Sequence, residues 1–356
     1  MVPLRLSEYV HVRLQPRVSS SSSVPARASM NSLVFDIGGS WIRAGLWNSN
    51  DGSLIARAQT PSPGLNQKAA GDPLEQLLQA LRGLGEQLVG SEQVPISIGV
   101  AFPGPVDALG RAGQAPTLWG ETGRAEPFDF GAAVNARLWD RPTRIVNDLT
   151  AAGMRYASPG KDFWLVTVSS GIGNKVFLDG KPVLGSNHKG GEIGHWRVDS
   201  DPSAPLCECS GRGHLGALAS GRATPFHFRE TKAAEPRIFA SSALKELGYD
   251  SPDLNREVAK AFKSGDSFAT EVVRRLAAPM GTALANLHLA IGIERFVIIG
   301  GWAAVLGAFY LDLLAESAAS NSWGDAREWP ARIEAGLDDD DSGLIGMGRL
   351  LSMEPH

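Results

Sequence analysis

What this sequence has little of narrows it first. Cysteine is nearly absent: Cys207 and Cys209, one residue apart, are the only two among 356 residues. They cannot build a disulfide framework, and a bridge across so short a separation would be strained, so a metal site in a reducing compartment explains the thiols better. Long apolar runs are missing as well. Stretches such as Phe296-Val297-Ile298-Ile299 have strand length and fall far short of the roughly 20 residues a membrane helix needs. Neither sign of charge dominates: 34 basic and 38 acidic residues leave a formal net charge of −4, which gives no general electrostatic reason to bind nucleic acid or an anionic membrane. The expectation is a soluble, cytoplasmic protein with no nucleic-acid and no membrane partner.

Acids are scarcest at the start. Between Met1 and Ser29, Glu8 stands alone against Arg5, Arg13, Arg17 and Arg27, beside a serine run from Ser19 to Ser23. The composition resembles an organellar transit peptide. The plainer reading is a disordered extension or an over-long start, because Met30 immediately precedes the first strand pattern. Residues 1–29 are therefore left out of the fold.

What remains is long enough for two domains of roughly 100–200 residues each. Ser32–Ile37 reads as a buried strand, Gly38-Gly39-Ser40 as a tight turn, Trp41–Trp47 as a returning strand and Leu54–Gln59 as a third. Asp72-Pro73-Leu74-Glu75 carries an N-cap, a proline at the first helical position and a capping-box glutamate, followed by Leu77, Leu78, Leu81, Leu84 and Leu88 at helical spacing. A strand over Pro95–Ala101 ends in the turn Phe102-Pro103-Gly104-Pro105. The grammar of strand, glycine turn and returning strand recurs at Phe163–Val168, Ser169–Gly173 and Lys175–Leu178, with too little identity for a sequence repeat. Helices are expected over 253–262 and 268–289, and a strand over Arg295–Ile299 runs into Gly300-Gly301-Trp302. The fold class is α/β: an N-terminal domain over 30–147, a C-terminal domain over 148–340, and a tail over 341–356, helical and packed back on the first domain.

Three glycine turns at strand ends suit a nucleotide cleft between two domains. In Asp36-x-Gly38-Gly39-Ser40-x-x-Arg43, glycines let the backbone approach an anion, amides and a hydroxyl can bind phosphate oxygens, and Asp36 can hold hydrated magnesium. Ser169-Ser170-Gly171-Ile172-Gly173 and Gly300-Gly301 offer the second and third turns. Asn147-Asp148 follows the strand Arg144-Ile145-Val146. An ordinary helix N-cap is one reading, and a carboxylate that accepts the proton of an attacking hydroxyl is another; the two do not exclude each other. His195, Cys207, Cys209 and His214 supply four nitrogen or sulfur donors suited to a closed tetrahedral zinc site, with Gly211 and Gly213 letting the chain curl around the ion.

In order, the first phosphate motif, Phe102-Pro103-Gly104-Pro105-Val106-Asp107, Asn147-Asp148, Gly190-Gly191-Glu192-Ile193-Gly194-His195 and Ile298-Ile299-Gly300-Gly301 resemble the ROK family of bacterial sugar kinases and repressors, in the actin-like ATPase superfamily, from about Leu33 to Leu351. The resemblance implies two actin-like domains, with ATP, Mg2+ and a structural Zn2+ as cofactors. Asp148 would be the general base. Gly104, Thr117, Asn147, Glu192 and His195 would meet a small cyclic polyol, while Asp36, Gly38, Gly39, Ser40, Arg43, Ser170, Gly171, Gly173, Gly300 and Gly301 would serve the nucleotide. The zinc would stiffen the segment carrying Glu192 and His195. A homodimer is expected.

Several residues depart from the family pattern. Thr117 stands where the family shows asparagine, Gly216 where it shows a sugar-binding glutamate, Asn174-Lys175 where it shows two glycines, and His214 where it shows a third cysteine. Loss of a carboxylate that accepts hydroxyl hydrogen bonds weakens glucose binding, unless Glu121 or Glu208 compensates. The expected reaction is in-line phosphoryl transfer to a primary hydroxyl, with domain closure excluding water. The expected acceptor is a C7-cyclitol of the valienone or valiolone type made in aminocyclitol antibiotic pathways. The rivals are a glucokinase or N-acetylmannosamine-type kinase and a non-catalytic sugar sensor. A repressor needs a winged helix-turn-helix ahead of the first phosphate motif, for which the basic extension is too short and too helix-poor.

Overall fold

The computed structural model describes residues 31–63, 72–90, 94–119, 126–188 and 190–353. The N-terminal extension and Glu121 lie outside them. The chain forms two compact units. The first takes the described residues up to Ala157, then Leu184–Gly190 and everything from Asp339 onward; the second takes Ser158–Val183 and Gly191–Asp338. Among the described residues no helix is long and apolar enough to cross a membrane.

The first unit is built on a five-stranded sheet of β1 (Asn31–Ile37), β2 (Trp41–Asn48), β3 (Ser53–Pro61), β4 (Ile98–Phe102) and β5 (Thr143–Asn147), in the order β3-β2-β1-β4-β5. β1, β2 and β3 form an antiparallel meander, whereas β4 and β5 add in parallel to β1. Leu33, Phe35 and Ile37 are fully buried. The helix Pro73–Val89 covers this sheet because Leu74, Leu77, Leu78, Leu81, Leu84 and Val89 fall on its inner face, each contributing about 1.5–3 kcal/mol on full burial. Asp72 caps it, accepting from the Leu74 amide at 3.0 Å. Glu75, the expected capping-box partner, is taken up by the Arg137 guanidinium, accepting from Nε at 3.2 Å and from Nη2 at 2.6 and 2.7 Å, a forked charge-assisted pairing stronger than a bond to a single amide.

The C-terminal helix, Ser342–Ser352, packs in this unit against β1, β4 and the helix Asp148–Met154. A methyl built at Gly99 of β4 would fall 2.6 Å from Met347 Cγ, so the helix rests almost on the strand backbone. Ahead of it runs Asp338-Asp339-Asp340-Asp341, of which Asp339 pairs with Arg155, Asp340 with Arg43 at 3.2 Å and Asp341 with Arg57 at 2.6 Å.

The second unit repeats the plan. β6 (Phe163–Val168), β7 (Ile172–Leu178), β8 (Lys181–Pro182), β9 (Phe296–Ile299) and β10 (Ile333–Ala335) stand in the order β10-β9-β6-β7-β8. Again the first three strands form an antiparallel meander and the last two add in parallel. The 25-residue helix Ser267–Ile291 buries Phe268, Val272, Val273, Leu276 and Met280 in this unit's core. Asp266 caps it, accepting from the Ala269 amide at 2.9 Å and also from Ser242 Oγ and the Ala243 amide. Burial alone would raise the Asp266 carboxyl, but these hydrogen bonds outweigh it and hold the group below its ordinary value.

Asp266→Ala is expected to cost about 1 kcal/mol through the lost cap, read as a lower urea midpoint for the second unit. Because the folded-state pKa is depressed, this contribution is complete above the unfolded value of about 3.9 and is lost as pH falls from there through the folded value. The gap between wild type and variant should therefore narrow below about pH 4; a gap constant from pH 7 to pH 3 would contradict the assignment.

Candidate active site

In the first unit the parallel strands β1, β4 and β5 end side by side, with Asp36 opposite Ala101 and Phe102 opposite Asn147. The carboxyl ends of parallel strands are where open α/β sheets bind ligands. Asn147 is the N-cap of the helix Asp148–Met154, its Oδ1 accepting from the Leu149 and Thr150 amides. Its Nδ2 donates to the Gly104 carbonyl at 3.2 Å and to Asp148 Oδ1 at 2.8 Å. Gly104, Asn147 and Asp148 are thus brought together, and the capping role falls to Asn147. Asp148 is half-buried, and its Oδ1 also accepts from the Leu149 amide at 2.8 Å. Phe102, Trp119, Phe128 and Phe130 form an aromatic cluster under the one-turn helix Pro116–Trp119. This turn contains Thr117, whose side chain lies outside the described residues.

Gly38-Gly39-Ser40 turns β1 into β2, with the Gly38 amide donating to the Trp41 carbonyl at 2.9 Å. Burial pushes the Asp36 carboxyl up to about 6; Arg43 opposes the shift and Asp340 adds to it. The Arg43 guanidinium lies 3.9 Å from Asp36 and 3.2 Å from Asp340, bridging the end of β1 to the clamped acidic run.

In the second unit, Ser169–Gly171 turns β6 into β7 at the place matching the first turn. Gly300 brings the third turn against it. Gly300 has φ +102°, and a methyl there would fall 2.6 Å from both Thr167 Oγ1 and the Val168 carbonyl oxygen, so no side chain fits. Two contacts absent from the sequence-based expectations complete the group. The Gly221 amide donates to the Ser169 carbonyl at 2.8 Å, and Asn255 Nδ2 donates to the Gly221 carbonyl at 2.9 Å. Trp302 closes over Gly221. The run Ala219-Ser220-Gly221 is the one local signal of such a close approach, and by itself it reads as an ordinary loop.

Glu192 and His195 belong to the second unit and are exposed, flanking the buried Ile193 and Gly194. The segment is seated on β7. Asn174 Oδ1 accepts from the Ile193 amide at 3.3 Å. A methyl at Gly191, where φ is +104°, would fall 2.5 Å from the Asn174 carbonyl oxygen and 2.7 Å from Lys175 Nζ. Asn174 and Lys175, 2% and 4% exposed, therefore sit beneath the Glu192 segment. Gly216 lies close to the same segment: a methyl there would be 3.1 Å from the Gly194 carbonyl oxygen, so a side chain at 216 asks the backbone next to His195 to give by a few tenths of an ångström.

His195, Cys207, Cys209 and His214 offer ligand atoms that all lie within 4.8 Å of one another. Cys207 Sγ is 3.7 Å from His195 Nδ1 and Cys209 Sγ is 3.2 Å from His214 Nδ1. A tetrahedral zinc with Zn–S of about 2.3 Å and Zn–N of about 2.0–2.1 Å sets neighbouring donors roughly 3.3–3.8 Å apart, so these two spacings and the donor chemistry suit that ion. Glu208, between the thiols, is engaged by Arg222.

A family profile described as the ROK family matches residues 33–354. The C(7)-cyclitol 7-kinase of Streptomyces hygroscopicus subsp. jinggangensis is 39% identical over 328 residues, covering 89% of this chain and 93% of that protein. The 2-epi-5-epi-valiolone 7-kinase of an Actinoplanes strain is 27% identical, over 78% and 79%. Among solved structures, a ROK family glucokinase from Streptomyces griseus in complex with glucose and AMPPNP superposes with a TM-score of 0.66 at 26% identity, over 90% of this chain and 98% of that one. With the profile spanning nearly the whole described chain and relatives alike in both sequence and fold, this protein belongs to the ROK family.

Proposed function

We propose that the protein transfers the terminal phosphoryl group of ATP to the primary 7-hydroxyl of a C7-cyclitol of the valienone or valiolone type. The observation that carries this reading is the 39% identity, over most of both chains, to a C(7)-cyclitol 7-kinase. The arrangement of Gly104, Asn147 and Asp148 supports it. The Asp148 carboxylate takes the proton from the acceptor hydroxyl as its oxygen attacks the terminal phosphorus; the bond to the bridging oxygen breaks and ADP leaves. The turns at Gly38-Gly39-Ser40, Ser170-Gly171-Gly173 and Gly300-Gly301 hold phosphate oxygens. Asp36 is the residue for hydrated magnesium, which when bound neutralises phosphate charge.

Two positions of the second unit, Gly216 and Glu208, favour a cyclitol over glucose. Gly216 supplies no carboxylate and is pressed against Gly194, and Glu208, one candidate to replace that carboxylate, is turned to Arg222. A carbocycle has no ring oxygen or anomeric hydroxyl to be met there. Glu192, Asn147 and His195 remain for the ring hydroxyls. His195, Cys207, Cys209 and His214 hold a structural zinc, with His195 using Nδ1 and leaving Nε2 for the acceptor or its support. An aminocyclitol pathway is the setting in which such a phosphorylation belongs.

Steady-state kinetics should give a kcat/KM for a valienone-type cyclitol on the order of 10²-fold or more above that for glucose; equal constants, or glucose ahead, would sink the cyclitol reading. Asp148→Asn should lower turnover by about 10²-fold or more with KM for the acceptor little changed, because an asparagine oxygen can still accept from Leu149; near-normal turnover would remove the base. Metal analysis should find about one zinc per chain, lost together with thermal stability in Cys207→Ser/Cys209→Ser. Active wild-type protein without zinc would refute that part.

A further inference from the structure

Arg222 stands outside every motif of the sequence, yet its place is closely determined. Its backbone neighbour Gly221 is held from two sides, by the Ser169 carbonyl at 2.8 Å and by Asn255 at 2.9 Å. This hydrogen bonding ties the Gly221-Arg222 segment to the start of the Ser169–Gly173 turn. The guanidinium reaches on toward the turn, and a methyl built at Gly171 would lie 3.6 Å from Arg222 Nη2. A second nitrogen, Nη1, pairs with Glu208, between Cys207 and Cys209.

We propose that Arg222 is a further nucleotide-binding residue, whose guanidinium binds phosphate oxygens at the Gly171 turn and exchanges Glu208 for them when the nucleotide arrives. The proposal rests on the kinase reading above. The chemistry favours the exchange. The Glu208 side chain is 70% exposed and that of Arg222 45%, and so exposed an ion pair contributes only about 0–1 kcal/mol. An arginine–phosphate contact is charge-assisted, often bidentate and stronger. The turn itself, Ser169-Ser170-Gly171-Ile172-Gly173, contains no charged side chain, so its amides and hydroxyls supply dipoles and Arg222 supplies the full positive charge. Because Glu208 sits between two residues of the candidate zinc site, phosphate binding also frees that short loop from the guanidinium.

Calorimetric titration with Mg·AMPPNP and, separately, with adenosine tests this. Arg222→Ala should weaken AMPPNP binding by about 10- to 100-fold and leave adenosine binding unchanged, with Arg222→Lys between wild type and alanine. Glu208→Gln should bind AMPPNP as tightly as wild type or a few-fold more tightly, because it removes the competitor. If the pair only braces the loop, both variants weaken binding together, and that outcome overturns the proposal. So does an Arg222→Ala protein with the wild-type ratio of AMPPNP to adenosine affinity. Wild-type protein that binds no adenine nucleotide would bring down the kinase reading itself, whereas active wild type with an indifferent Arg222→Ala variant brings down only this inference.

Discussion

In the second unit the placement of Glu192 and His195 depends on one contact, the seating of Gly191–His195 on the backbone of β7. A hydrogen bond from the Ile193 amide to Asn174 and the close approach of Gly191 to the Asn174 carbonyl fix the segment. Glu192 and His195 leave it in directions set by that seat, and His195 then reaches the thiol of Cys207 at 3.7 Å. Asn174 of β7 thereby helps to place the exposed Glu192 and His195. Burying Asn174 is tolerable because its Oδ1 is used in this packing, since a buried polar group without a partner is costly.

The two sheets share an order and a sense of pairing, but the two units equip their turns differently. In the first, buried or half-buried carboxylates gather at strand ends: Asp36, raised by burial and pressed by the first turn of the C-terminal helix at Gly343, and Asp148 beside its capping neighbour Asn147. In the second, the turn at Ser169–Gly173 is built of amides, hydroxyls and glycine, with Arg222 alongside.

The end of the chain is held in the first unit by both packing and charge. Arg155, Arg43 and Arg57 each engage one residue of the aspartate run, in pairs where one partner is largely buried and the other more exposed. Their use is positional. They fix where the chain enters the helix Ser342–Ser352, whose Met347 and Leu351 then close over Gly99. Through Asp340 and Arg43 the same run reaches Asp36, so the last helix and the turn between β1 and β2 are parts of one packed structure.

Much of this was legible in the residues. Alternating and continuous apolar runs located β1 to β7 and β9 within a few positions, because burial of one or both faces of a strand leaves a pattern in the chain itself. The glycine turns and the pair Asn147-Asp148 stood out by residue type, and the four nitrogen and sulfur donors, which the fold brings within 4.8 Å of one another, stood out by their rarity. Other features were not legible. β8 and β10, of two and three residues, carry too little pattern and exist because a neighbouring strand offers unpaired backbone groups. Glu75 fitted a capping box by spacing, and a distant arginine took it. Asn174, Lys175 and Gly216 were visible only as departures, and it took the packed structure to put them beneath and beside the segment carrying Glu192 and His195. Arg222 was silent altogether. Local sequence determines which atoms are available and how each stretch folds; which of those atoms face one another is decided by close packing between stretches far apart in the chain, where one side chain excludes another and leaves no trace in the spacing of either.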